Sequence, residues 1–157
     1  SDSPRSGTRF LRYLSIPSPM KALLKWEKGM NFKAKAETGV WVPLGPSKPE
    51  TGAPRAASPM ELLLMSLAGC TAMDVVWILQ KKRVALDDFW VDIEAEKTEE
   101  HPKVYSSIHL KFMFEGKDLK LKDLEQAVAL SAEKYCSVGA MLGKAAKITH
   151  EIQIRER

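Results

Sequence analysis

A chain of 157 residues with 45% hydrophobic content holds enough apolar material for one domain with a sizeable core and little for a second. Its formal charge is +4, half of it supplied before residue 20 by Arg5, Arg9 and Arg12 against Asp2. Lysines alternate with Glu and Asp through most of the remainder, which argues against a nucleic-acid face, and two cysteines are too few for a secreted disulfide scaffold.

Residues 1–19 are rich in Ser, Pro and Arg without periodicity and read as an expression-derived or disordered extension, leaving a single domain over 20–157. They contain no apolar stretch of signal-peptide kind, so a cytoplasmic protein with free or redox-cycling thiols is expected. Lys21 to Ala36 contains two strand-like stretches around Lys28-Gly29-Met30, and Val40-Trp41-Val42 is a third. A Gly-, Pro- and Ser-dense loop from Pro43 to Ser58 follows, carrying Lys48, Glu50 and Arg55. Loops of that length in small domains are often functional.

Ser58-Pro59 reads as N-cap and first helical position, because proline lacks the N–H that would go unpaired there. The helix that follows is apolar on most of its circumference through Leu79 and ends on Lys81, Lys82 and Arg83, cations that suit its C-terminal dipole. Glu61, Ser66, Thr71 and Asp74 interrupt its apolar run, so a buried helix is expected and no membrane span. A single copy offers limited cover for such a helix, and a homodimer is the expected remedy.

Val91, Ile93 and Ala95 alternate on one strand, and Ile108, Leu110, Phe112 and Phe114 on the next, joined by the polar loop from Lys97 to Lys103. A helix is predicted over 122–134, a short one over 137–144 opened by Cys136, and a last strand with Ile148, Ile152 and Ile154 on its core side. Strands and helices so segregated indicate an α+β fold.

Cys70 and Cys136 carry the possible chemistry. A thiol reacts as thiolate, and a helix N-terminus or a nearby arginine favours that form. Cys136 has a helix N-terminus; Cys70 lies mid-helix, with Asp74 four residues on to oppose ionisation, so reactivity there requires an arginine from elsewhere. The residues alone leave open a purely structural role for both thiols, since free cysteine is among the most buried side chains. A zinc site would need His101, His109 or His150, none of them closely spaced with a cysteine. His101 falls in a turn, and His109 and His150 are assigned to the non-core sides of their strands.

The stretch Ser58-Pro-Met-Glu-Leu-Leu-Leu-Met-Ser-Leu-Ala-Gly-Cys-Thr-Ala-Met-Asp-Val-Val, with Glu133-Lys-Tyr-Cys-Ser-Val, resembles the OsmC/Ohr family of thiol-dependent peroxidases, and within it the subgroup with a Gly-Cys-Thr motif. The resemblance runs in element order from about Met20 to the C-terminus. It implies an OsmC-like α+β fold: two long central helices enclosed by antiparallel-rich sheets in an intertwined homodimer with sites at the interface. It also implies a peroxidatic Cys70 that takes oxygen from an organic hydroperoxide, a resolving Cys136 that converts the sulfenic acid to a disulfide, and an external dithiol that reduces it. No metal, flavin or other cofactor is implied. Better-known branches carry a glutamate ten residues before the peroxidatic cysteine, holding an activating arginine; Met60 occupies that position here. Glu61 is the neighbouring candidate, its other reading being an acid in a helix's first turn, and Arg55 is the candidate arginine, its other reading a solvated loop residue. The competing function is a non-enzymatic binding module for a hydrophobic small molecule at the dimer interface.

Overall fold

The computed structural model describes residues 19–156, which form two compact units divided between Ala57 and Ser58. The expectation for residues 1–18 lies outside the described residues.

The first unit is an antiparallel meander of β1 (Leu23–Lys28), β2 (Asn31–Lys35) and β3 (Val42–Leu44). Gly29, at φ 57, opens the turn between β1 and β2, and its carbonyl accepts from Trp26 Nε1 at 2.7 Å. The third strand lies two residues later than the Val40–Val42 stretch. Pro43 is tolerated because β3 pairs only with β2 within the sheet, an edge position where a missing N–H leaves no ladder partner unmet.

The second unit begins with α1 (Pro59–Lys81), at the bounds the sequence indicates. Ser58 Oγ accepts from Glu61 N at 3.3 Å while Glu61 Oε1 accepts from Ser58 N at 3.0 Å, a reciprocal capping box. At the other end Val84 N donates to Leu79 O at 2.9 Å, with Arg83 in the left-handed region at φ 58. The sheet contains β4 (Asp88–Lys97), β5 (Tyr105–Gly116) and β6 (Lys147–Glu156), with β5 central. The register joins the expected apolar rows: Val91 and Ile152 flank Phe112, Ala95 and Ile148 flank Ile108, and Phe89 and Ile154 flank Phe114. His150 is a correction, for it stands opposite Leu110 in the isoleucine row of β6 and edge-on to Phe112, although exposed. Strict alternation from Ile148 and Ile152 places it there.

β4 and β5 are antiparallel, but β5 and β6 are parallel, so their connection must cross back over the sheet. It does so through α2 (Leu121–Leu130), a π-helical turn (Ser131–Tyr135) and α3 (Ser137–Leu142). The helix predicted over 122–134 thus ends four residues early as α-helix and continues wider. Leu67, Val75, Ile78 and Leu79 of α1 bury with Leu124, Ala127 and Val128 of α2 and the β5 row in one core.

By length and composition alone α1 could cross a bilayer. It buries the Leu67, Thr71, Val75, Leu79 stripe as core helices do, and leaves Met65, Met73 and Trp77 at 57%, 75% and 54% exposure on other faces.

Phe114 is fully buried and stacks on Phe89 at 4.8 Å between ring centroids. Phe114→Ala is expected to cost about 3–5 kcal/mol, read as a lowered midpoint in urea unfolding followed by circular dichroism.

Candidate functional site

Thr71 and Asp74 lie three residues apart on α1, close to one face, with Cys70 beside Thr71. The opposing side is the crossover connection. Its π turn admits one extra residue per turn, recorded in the Cys136 N–H donating to Ser131 O at 2.8 Å. That turn presents Ser131 and Cys136 to α1 together. Ser131 is fully buried and donates to Asp74 Oδ2 at 2.8 Å. Its oxygen lies 2.9 Å from Thr71 Oγ1, and because the single Ser131 hydrogen is committed to Asp74, Thr71 is the donor of that second bond.

This arrangement gathers Cys70 Sγ, Cys136 Sγ and an Asp74 carboxylate oxygen within 4.8 Å of one another. The two thiols, sixty-six positions apart in the sequence, meet in space. Both are free; Cys70 is half-buried and Cys136 is 5% exposed. Cys136 is the N-cap of α3, its Sγ accepting from Gly139 N at 3.2 Å. A Cβ on Gly139 would stand 3.2 Å from that sulfur, close enough that the thiol would have to shift by a few tenths of an ångström, and 3.6 Å from Leu67, an ordinary contact.

A helix N-terminus was expected to help Cys136 ionise, and its Gly139 bond does act that way. Burial wins: desolvation pushes the thiol up from an ordinary 9.0 to about 11, with Cys70 and, last, the Asp74 charge adding to it. Cys136 is therefore a neutral thiol at physiological pH.

The remaining candidates fall elsewhere. Glu61 is exposed at the helix start, its carboxylate held below the usual range chiefly by the hydrogen bonds from Ser58. Nine residues of helix, about 13 Å of rise, separate its backbone from that of Cys70. Arg55 is exposed in a loop of the first unit. Within the second unit Arg83 follows the end of α1, thirteen residues from Cys70, and the Arg155 guanidinium sits over Trp90 at 5.2 Å. Met60, at the position acidic in other branches, uses its carbonyl to accept from the buried Tyr105 hydroxyl. The histidines do not join the thiols: His109 pairs with Thr149 at 2.7 Å, His150 faces Phe112, and His101 is in the loop between β4 and β5.

Two residues of the cluster escaped the sequence reading. Ser131 falls inside the helix predicted over 122–134 without being singled out, and Asp74 entered only as an obstacle to Cys70. The available signal was that neither belongs on the apolar face of a core helix unless a polar partner meets it there.

A family model described as OsmC-like protein matches residues 51–151. Protein YhfA of Escherichia coli K12 is 42% identical over 135 residues, spanning 86% of this chain and 98% of its own. A crystal structure of a hypothetical protein from Aquifex aeolicus VF5 is 34% identical and superposes at a TM-score of 0.73, covering 87% of this chain and 98% of that one. An organic hydroperoxide resistance protein OsmC from Legionella pneumophila shares the fold, with a TM-score of 0.62 at 18% identity over 85% of this chain and 96% of its own. The chain belongs to the OsmC-like family.

In a Cys70→Ser variant, alkylation of Cys136 by iodoacetamide, followed by mass spectrometry, should keep accelerating above pH 9.0, because burial, the leading cause of the raised thiol, remains when the Cys70 contribution is gone. Because the folded thiol holds its proton more tightly than the unfolded one, its contribution to stability is complete below the unfolded value and is lost as pH rises through the folded one.

Proposed function

We propose that the protein is a thiol-dependent peroxidase that reduces organic hydroperoxides with Cys70 and Cys136. The observation that carries this reading is the approach of the two sulfurs to within 4.8 Å, on a helix and a connection that a structural role would not oblige to meet at cysteines. The half-buried Cys70 is the sulfur a substrate reaches; the buried Cys136 is the one that resolves. In the first step the Cys70 thiolate attacks the distal peroxide oxygen, the O–O bond breaks, Cys70 becomes sulfenic acid, and the leaving alkoxide takes up the proton the thiol had released and departs as an alcohol. Closing the sulfurs to the disulfide length of about 2.0 Å then requires a rotamer change and a small shift of the short α3. An external dithiol restores both thiols. Such a cycle suits the reducing cytoplasm. On the sequence resemblance alone, Arg55 is the proposed cation that favours the Cys70 thiolate.

Leu67 beside the thiols and the Met73, Trp77 surface on the same helix supply apolar contacts suited to an alkyl or aryl hydroperoxide. A homodimer belongs to the same reading. Trp77 meets Tyr135 edge-on at 6.4 Å, and Met73 is exposed on the same helix as Trp77, apolar surface of the sort a second copy covers.

Stopped-flow mixing of the reduced protein with cumene hydroperoxide should consume one equivalent and yield the intramolecular disulfide, and Cys70→Ser should abolish consumption. Equal consumption by the two proteins would remove Cys70 from the chemistry and favour a ligand-binding role. Sedimentation analysis should give a dimer that Trp77→Asp shifts toward monomer.

A further inference from the structure

The carboxylate of Asp74 is costly where it stands. Ser131 and Thr71, 0% and 4% exposed, hold it within 4.8 Å of both sulfurs. A carboxylate fixed by a buried donor chain against two sulfurs has its use in whichever step needs a base.

Resting on the peroxidase reading, we propose that Asp74 carries the proton of the resolving step, taking it from Cys136 Sγ and delivering it to the hydroxide leaving Cys70, with Ser131 as the positioning residue. The balance is complete. The Cys136 S–H bond and the Cys70 S–O bond break, the S–S bond forms, and the proton and hydroxide depart as water. The Cys136 sulfur is oxidised at the expense of the sulfenic acid, and the hydroperoxide of the first step is the ultimate oxidant. Asp74 is regenerated as carboxylate. Asp74 and the two sulfurs lie within 4.8 Å of one another, a separation that a single bridging water spans.

The need for a base follows from the surroundings of Cys136. With its thiol at about 11, only about one molecule in 10,000 would carry the thiolate at neutral pH. Burial, the leading cause, persists whether or not Asp74 is present, and the Asp74 charge is the last of the causes. Losing the carboxylate therefore removes a proton acceptor without freeing the thiol. The resolving step needs a proton acceptor beside Cys136, and Asp74 is the carboxylate held there.

The test separates those steps. Reduced wild type, Asp74→Asn, Asp74→Glu, Ser131→Ala and Cys136→Ser are each mixed with one equivalent of cumene hydroperoxide and quenched over time with dimedone, and sulfenic acid and disulfide are counted by mass spectrometry. Asp74→Asn should form the Cys70 sulfenic acid no more slowly than wild type yet make the disulfide about 100-fold more slowly, so that the dimedone adduct accumulates. Asp74→Glu should restore part of the rate, and Ser131→Ala should slow resolution by a smaller factor. A misfolded variant would instead lose both steps; in that case a wild-type resolution rate in Ser131→Ala overturns the proposal. Disulfide formation at the wild-type rate in Asp74→Asn, with the sulfenic acid trapped in Cys136→Ser, overturns the proposal and leaves the peroxidase reading standing. Absence of any adduct in Cys136→Ser and of disulfide in wild type overturns both.

Discussion

The buried chain from Thr71 through Ser131 to Asp74 is the constraint on which the site depends. Two buried hydroxyls and a half-buried carboxylate meet here, and a buried hydroxyl left unmet costs about 1–3 kcal/mol. Here each answers another: Thr71 donates to Ser131, and Ser131 donates to Asp74. Because Ser131 sits on the crossover and the other two on α1, satisfying these groups fixes the rotation of one segment against the other. Among the described residues no buried side-chain nitrogen or oxygen lacks a partner. The relation between the two thiols is thus set by hydrogen bonds, which are directional, and not by apolar packing alone.

The π turn is the second element of this control. An α-helix continued through Tyr135 would rotate each later side chain by a residue's worth of arc relative to Ser131. The wider turn absorbs that residue, returns the chain to extended geometry at Cys136, and lets the thiol become the N-cap of α3. The Gly139 N–H then orients the sulfur, and the lack of a Cβ at Gly139 makes room for it.

Much of this was legible in the sequence wherever local physics decides. Ser58-Pro59 marked the start of α1 because capping and proline act within one turn, and the rows of β4, β5 and β6 followed from alternation with a buried face. Three features were not legible. A single π turn is too short to impose an apolar period of its own, so Ser131 to Lys134 read as α-helix. Alternation assigns faces but not partners, so the parallel pairing of β6 was silent, and His150 was misplaced by reading its polarity before its register. The role of Ser131 depends on a partner 57 residues away, a relation that no window of sequence contains. Glu61 shows the opposite case: its first-turn reading needed only Ser58, three residues before it.

The parallel pairing of β5 with β6 has a consequence for how such a site can vary. Strands running the same way cannot be joined by a tight turn, and a crossover of a dozen or more residues is compulsory. The chain must build that crossover for the sheet whatever else it does, and Cys136, Ser131 and Gly139 all ride on it. The Cys136 thiol, the polar clamp and the thiol-orienting amide therefore travel as one cassette, held at both ends by neighbouring strands. The cassette can drift in composition while the Cys70 helix and the sheet stay as they are, so one scaffold can present different groups to that helix.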